Sequence, residues 1–193
     1  MFDSDIRFQK IGKDIWVYHN FLSQNEINLI LNKIKKSESN IWNDLNFDNP
    51  ENHTTKSLEE VKIIPMKIKK LLPSNLHVHE HLSITKLLPG QGHGIHSDNH
   101  DFLKIRELSK LVKEEDCFTL VDNSVYGLVV YLNEDYEGGE IFYTKQEITY
   151  KPKAGDLIIH SAEDHCEHGV YPVKTNFRYS YSGSIREQIK IPC

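Results

Sequence analysis

Residues 89–98 read Pro-Gly-Gln-Gly-His-Gly-Ile-His-Ser-Asp, which sets His96 and Asp98 one residue apart. In an extended segment, residues i and i+2 project to the same side. A neutral imidazole and a carboxylate can therefore reach one ion. They form two thirds of a 2-His-1-carboxylate face, which leaves positions open on a metal such as iron(II). His-x-Asp also occurs by chance in surface turns, so a third ligand is required. His160, His165 and His168 all lie in a later stretch that could supply it. Arg178 follows His168 in a β-prone run. An arginine inside a barrel needs an anion, because burying a lone guanidinium is expensive. A dicarboxylate would fit, since the guanidinium offers a planar fork and keeps its charge at any working pH. The other reading of Arg178 is a side chain snorkelling to the strand edge.

The elements that must position these groups follow from periodicity. Residues 15–22 read as a short strand running into a turn. Ser23 and Glu26 form a capping box, and Ile27, Ile30, Leu31 and Ile34 follow at helical spacing to about Ser37. Asn and Asp crowd residues 39–53, an irregular connection. A second helix is predicted over 58–72, where Pro65 should end, kink or restart it. Residues 76–88 alternate loosely, with Val78, Leu82, Ile84 and Leu88 on one side. Residues 125–133 are strongly β-prone, Gly138-Gly139 signals a turn, and further strands are expected at 146–151, 155–160, 168–173 and 176–185. Short strands separated by turns predict an antiparallel barrel or sandwich. Residues 101–115 look helical and charged, an insertion between the His-rich turn and the next strand.

The chain has 193 residues, 38% of them hydrophobic and 26% charged. That is ordinary for one globular domain with a real core, here 1–193. A net charge of −5 recruits neither nucleic acid nor an anionic membrane surface. No apolar run is long enough to span a membrane. The acidic start lacks a signal-peptide core, so the expected compartment is intracellular and cytoplasmic. The three cysteines, Cys117, Cys166 and Cys193, lack the spacing of a disulfide framework or thiolate zinc site. Histidine is enriched, with eleven in all, nine of them between His77 and His168.

Six signals stand in order: His96-Ser97-Asp98, Tyr131-Leu132-Asn133, Gly138-Gly139-Glu140, Pro152-Lys153-Ala154-Gly155-Asp156, His168 through Pro172-Val173, and Arg178. Together they resemble the 2-oxoglutarate/iron(II) dioxygenase superfamily, and its prolyl 4-hydroxylase-like branch in particular. The resemblance covers residues 84–185, and Val17–Ser23 is similar to the branch's entry strand and helix. It implies a mainly β fold with N-terminal helices (α+β), a double-stranded β-helix or cupin-like jelly roll. Residues 1–75 would supply the supporting strand and helices and 76–185 the core, with 99–124 as a lid over substrate. It implies iron(II) on His96, Asp98 and His168. Among the three later histidines, His168 alone matches both the spacing to Arg178 and the Pro-Val that follows. His160 ends an apolar strand where the branch carries an aromatic. It and His165 are expected to be solvent-facing loop residues, with ligand orientation as the other reading. The resemblance further implies that Arg178 and Tyr131 hold the far carboxylate of 2-oxoglutarate, with O2 as co-oxidant and ascorbate as a candidate reductant.

The sequence departs from the branch at Leu88 and His93, where tyrosines are usual; His93 is the candidate contact to the chelating end of 2-oxoglutarate, with a solvent-facing ring as the other reading. The implied reaction is hydroxylation of an unactivated C–H, with peptidyl proline as the leading substrate class. A free amino acid or other small molecule is the alternative, and a catalytically idle binding module of the same fold a weaker one. Asp98 disfavours halogenation, whose enzymes lack that carboxylate. Ser184 stands where nucleic-acid demethylases carry a second arginine. A zinc hydrolase would lack a placed general base.

Overall fold

The computed structural model describes residues 8–36, 43–44, 54–57, 59–79, 83–98 and 118–192. Strands β1 (Phe8–Gly12) and β2 (Ile15–Tyr18) lead into helix α1 (Gln24–Lys36). Strands β3 (Asn43–Asp44) and β4 (Thr54–Ser57), a 3-10 turn and helix α2 (Ile63–Lys69) follow. Next come β5 (Leu76–His79), β6 (Ser83–Leu87), β7 (His93–His96) and the long β8 (Phe118–Tyr131). The remainder is β9 (Glu137–Gly138), β10 (Ile141–Tyr143), β11 (Ile148–Tyr150), β12 (Leu157–Ser161), β13 (His168–Val170), β14 (Val173–Thr175) and β15 (Arg178–Pro192).

Among the described residues, the major sheet runs β1-β2-β12-β8-β15-β6-β4-β3, with β5 also on β15, and the minor sheet runs β11-β10-β13-β7. Neighbours in both are antiparallel. This is the expected double-stranded β-helix: two facing sheets with a cleft between them.

Strand β12, between β2 and β8 in the major sheet, is buried on both faces, so Leu157-Ile158-Ile159 is an unbroken apolar run rather than an alternation with polar residues. All five residues of β12 are buried. Leu157 and Ile159 pack outward with Leu128, Val130, Tyr181 and the helical residues Ile27, Ile30, Ile34, Ile64 and Ile68. Ile158 faces inward with Tyr131, Ile141 and Tyr143. The period of two thus assigns one side of each strand to the helical buttress and the other to the cleft.

The predicted helices form for the reasons their residues suggest. Ser23 Oγ accepts from Glu26 N at 3.4 Å, while Glu26 Oε2 accepts from Ser23 N at 2.7 Å. Pro65 restarts rather than ends the second helix. It sits in the first turn of α2, where its missing N–H has no intrahelical partner to lose.

Other expectations shift. Val78 and Ile84 are buried, but Leu87 rather than Leu88 completes that segment; it turns into the cleft beside Tyr136 and Val170. Leu82, and the helix expected over 101–115, lie outside the described residues. Strand β8 begins at Phe118, so the end of the 99–124 lid stretch is sheet. It pairs with Arg186–Pro192, a continuation of β15 past its expected end at 185. No described helix is long and apolar enough to cross a membrane.

Glu26 also ties the helices together, since Lys67 of α2 donates to its Oε2 at 2.9 Å. Burial alone would raise the Glu26 carboxyl pKa, but Lys67 and Ser23 hold it below the ordinary value of 4.5. A depressed carboxyl contributes stability above the unfolded pKa and loses it as pH falls. Glu26→Gln should therefore cost about 1 kcal/mol in urea unfolding at pH 7. The difference from wild type should close as pH falls below 4.5; a cost independent of pH would refute this account.

Candidate metal and dicarboxylate site

His96 closes β7 and His168 opens β13, and the two are direct cross-strand partners. Their ring centroids lie 4.5 Å apart. Asp98, two residues beyond His96, brings Oδ1 to 3.7 Å from His96 Nε2. One donor atom from each of His96, Asp98 and His168 falls within 4.8 Å of the others, the only such cluster among the described residues.

Both imidazoles are held ready to ligate. His96 Nδ1–H donates to the Gly94 carbonyl at 2.9 Å, and His168 Nδ1–H donates to the Cys166 carbonyl at 3.0 Å. A neutral imidazole bonded this way leaves the Nε2 lone pair free. Burial pushes the His168 pKa down to about 3, with the neighbouring His160 acting in the same direction. His168 is therefore neutral at working pH. Asp98 shifts so as to stay charged. Burial alone would raise its carboxyl, but the hydrogen bond from His160 and the electrostatic pull of the neighbouring imidazoles favour its charged form and hold it well below the carboxylate range. Two neutral nitrogens and one anionic oxygen suit a divalent first-row metal.

The cluster borders a cavity of about 200 Å³, lined also by Val129, Ile141, Val170 and His93. Arg178 also lines it, 2% exposed, and among the described residues no carboxylate pairs with it. Its Cζ is 4.8 Å from the Tyr131 ring centroid. Arg178 Nε and the hydroxyls of Tyr131 and Tyr136 are all buried without a hydrogen-bond partner. Burial raises both phenols and the guanidinium lowers them, so they remain neutral donors. A buried cation beside two unpartnered hydroxyls fits the free carboxylate of a diacid. Gly139, at φ 66°, makes room for it: a Cβ there would lie 3.0 Å from Tyr136 and 3.1 Å from Arg178.

The structure thus brings together His96, Asp98 and His168 at one part of the cavity and Arg178 with Tyr131 at another, and sets His93 on the wall. Asn133 lies off this face: its side chain bridges Phe177 O and Tyr179 N. Tyr136 escaped the sequence reading, although the Gly138-Gly139 turn that follows was its available signal. His160 requires a correction. It is no solvent-facing loop residue but 1% exposed, with Nε2 2.9 Å from Asp98 Oδ2. The reason is register: His160 pairs with Gly127, two positions along from the inward Ile158. His165 is partly buried and bonds Asp14 at 2.9 Å, away from the cluster.

Comparison with known proteins follows the same lines. Residues 76–186 match the 2OG-Fe(II) oxygenase superfamily. Prolyl 3-hydroxylase 2 of Rattus norvegicus and of Homo sapiens is 32% identical over 116 residues, 53% of this chain but only 16% of that protein's length. The viral collagen prolyl hydroxylase of Paramecium Bursaria Chlorella virus-1 superposes with a TM-score of 0.63 at 21% identity, covering 91% of this chain and 97% of its own. A Pseudomonas putida prolyl-4-hydroxylase gives 0.64 at 15% identity, covering 92% and 94%. A Trichoplax adhaerens prolyl hydroxylase, solved with a hypoxia inducible factor oxygen degradation domain peptide fragment, gives 0.63 at 14%, covering 91% and 83%. At these identities the structural likeness speaks to fold.

Gly127 supplies a test of the cluster. A Cβ there would stand 1.7 Å from Asp98 Oδ2 and 2.4 Å from His160 Nε2. Gly127→Ala should displace the carboxylate and weaken Mn(II) binding by about tenfold or more in an electron paramagnetic resonance titration. Wild-type affinity in that variant would refute the position given to Asp98.

Proposed function

This chain belongs to the 2OG-Fe(II) oxygenase superfamily, and we propose that within it the chain is a prolyl 4-hydroxylase-like enzyme acting on peptidyl proline. Arg178 carries the reading. A guanidinium at 2% exposure, without a carboxylate among the described residues, suits a diacid arriving from outside. Membership in the family implies that the diacid is 2-oxoglutarate and the metal iron(II).

The roles follow from the side chains. His96 and His168 would hold the iron through Nε2, and Asp98 through a carboxylate oxygen. Arg178 and Tyr131 would grip the far carboxylate of 2-oxoglutarate, and we add Tyr136 to that grip. His93 is assigned to the chelating end. Iron(II) held there would supply oxidative decarboxylation of 2-oxoglutarate by O2, coupled to hydroxylation of a substrate C–H, with ascorbate as reductant. Val129, Ile141 and Val170 line the cavity with apolar surface and would keep water from the reacting atoms. His96 and Asp98 are the partly exposed ligands, at 37% and 25%, so substrate would approach from their side. The peptide class rests on relatives named as prolyl hydroxylases, one of them solved with a peptide fragment.

Three measurements test this. His168→Ala should abolish succinate formation from 2-oxoglutarate, whereas His165→Ala should keep most of it; the reverse would overturn the ligand assignment. Arg178→Ala should raise the KM for 2-oxoglutarate by about 10- to 100-fold, the worth of a charge-assisted bond. An unchanged KM would remove Arg178 from the diacid site. Mass spectrometry after incubation with proline-containing peptides should show a gain of one oxygen on proline. Hydroxylation confined to free amino acids would replace the peptide reading with the small-molecule one.

A further inference from the structure

His160 belongs to neither the ligand set nor the diacid grip. It sits in the apolar stretch Leu157–Ser161, where a polar ring is costly unless both nitrogens are bonded. Both are bonded. Nε2 lies 2.9 Å from Asp98 Oδ2, and Nδ1 lies 2.9 Å from the hydroxyl of Tyr143, itself 1% exposed.

The direction of the chain follows from what each atom can do. An ionised carboxylate only accepts, so Nε2 must carry the hydrogen. A neutral imidazole with its hydrogen on Nε2 is an acceptor at Nδ1, so the phenol must donate there. We propose that Tyr143 and His160 form a buried positioning relay. Tyr143 O–H donates to His160 Nδ1, and His160 Nε2–H donates to Asp98 Oδ2. Oδ1 is left as the single carboxylate oxygen presented to the cation. This rests on the metal-site reading above and deepens it.

Three strands converge on the device: Tyr143 from β10, His160 from β12 and Gly127 from β8. Gly127 is the residue type that leaves a path for the bond, since any Cβ would stand within 2.4 Å of both partners' bonding atoms. The free oxygen, Oδ1, is the one that faces His96 Nε2, at 3.7 Å. The relay therefore ties up one lone-pair-bearing oxygen and turns the other toward the imidazoles. A carboxylate so held would offer a bound cation one oxygen rather than two.

The experiment uses the metal-free full chain. Long-range proton–nitrogen correlation of ¹⁵N-histidine-labelled protein at pH 8, assigned with His160→Gln, should show hydrogen on Nε2 of His160. It should show hydrogen on Nδ1 of His96 and His168. Hydrogen on Nδ1 of His160 would overturn the relay. Mn(II) affinity is the second readout. His160→Phe removes the donor at similar shape and should weaken binding by about tenfold or more. His160→Gln restores an N–H near Nε2 and should stay within about threefold of wild type, with Tyr143→Phe between the two. Equal affinity for His160→Phe and wild type, or equal loss for His160→Gln and His160→Phe, would overturn the proposal. Should His160→Phe fail to fold, the tautomer and Tyr143→Phe measurements still decide. A wild-type protein that binds no Mn(II) would overturn the metal-site reading and this inference with it, an outcome distinct from failure of the variants alone.

Discussion

The structure turns on a buried positive charge. Placing a guanidinium in a protein interior costs several kcal/mol unless something anionic meets it, and among the described residues Arg178 has two phenols rather than a carboxylate beside it. The phenol hydroxyls are donors as readily as acceptors, so they do not neutralise the cation. They complete a donor set instead. That set is made before any anion arrives, and it sits where the local dielectric is low and a carboxylate would be bound strongly. The cost of keeping it buried is offset elsewhere, by the apolar residues packed on the outer face of the same sheet.

That division of labour comes from strand alternation. In β12, Leu157 and Ile159 face the helices, whereas Ile158 and His160 face the cleft. In β8, Leu128 and Val130 join the helical core while Gly127 and Tyr131 reach the site. Helices α1 and α2 thus never touch the chemistry, yet they hold the sheet whose other face carries it. A one-residue slip in either strand would exchange the two sets and bury the wrong residues on both sides.

The parts of the site that were legible in the sequence are those with local spacing. His96 and Asp98 are neighbours but one, and Arg178 follows His168 at short range along the chain, with only the short β14 between their strands. The capping box at Ser23 and Glu26 is equally local. What could not be read depends on pairing between distant strands. His160 looked like the end of a strand, and only the pairing of His160 with Gly127 brings it against Asp98. Tyr136 carried no mark of its own in the sequence, and only the Gly138-Gly139 turn brings it beside Arg178. Leu87 and Leu88 are adjacent apolar residues, and without the partner strand nothing in their identities says which one enters the cleft. Likewise Phe118–Ser124 reads as the end of an insertion until β15 is seen to run alongside it.

The least legible component is the backbone. The carbonyls of Gly94 and Cys166 choose the tautomers of the two imidazoles in the candidate triad, and a carbonyl looks the same whatever residue carries it. A motif therefore identifies which side chains can ligate without saying which nitrogen will. Local backbone geometry makes that choice: each accepting carbonyl belongs to the residue two before its histidine, Gly94 within β7 and Cys166 in the 3-10 turn before β13. The same short reach recurs at both candidate ligands, one at the end of β7 and one at the start of β13. Two strand-end positions in a paired register thus orient both rings by the same local device. Asp98 has no such carbonyl and is oriented from across the barrel. Of the three candidate ligands, the carboxylate is the one whose geometry depends most on the whole fold being in place.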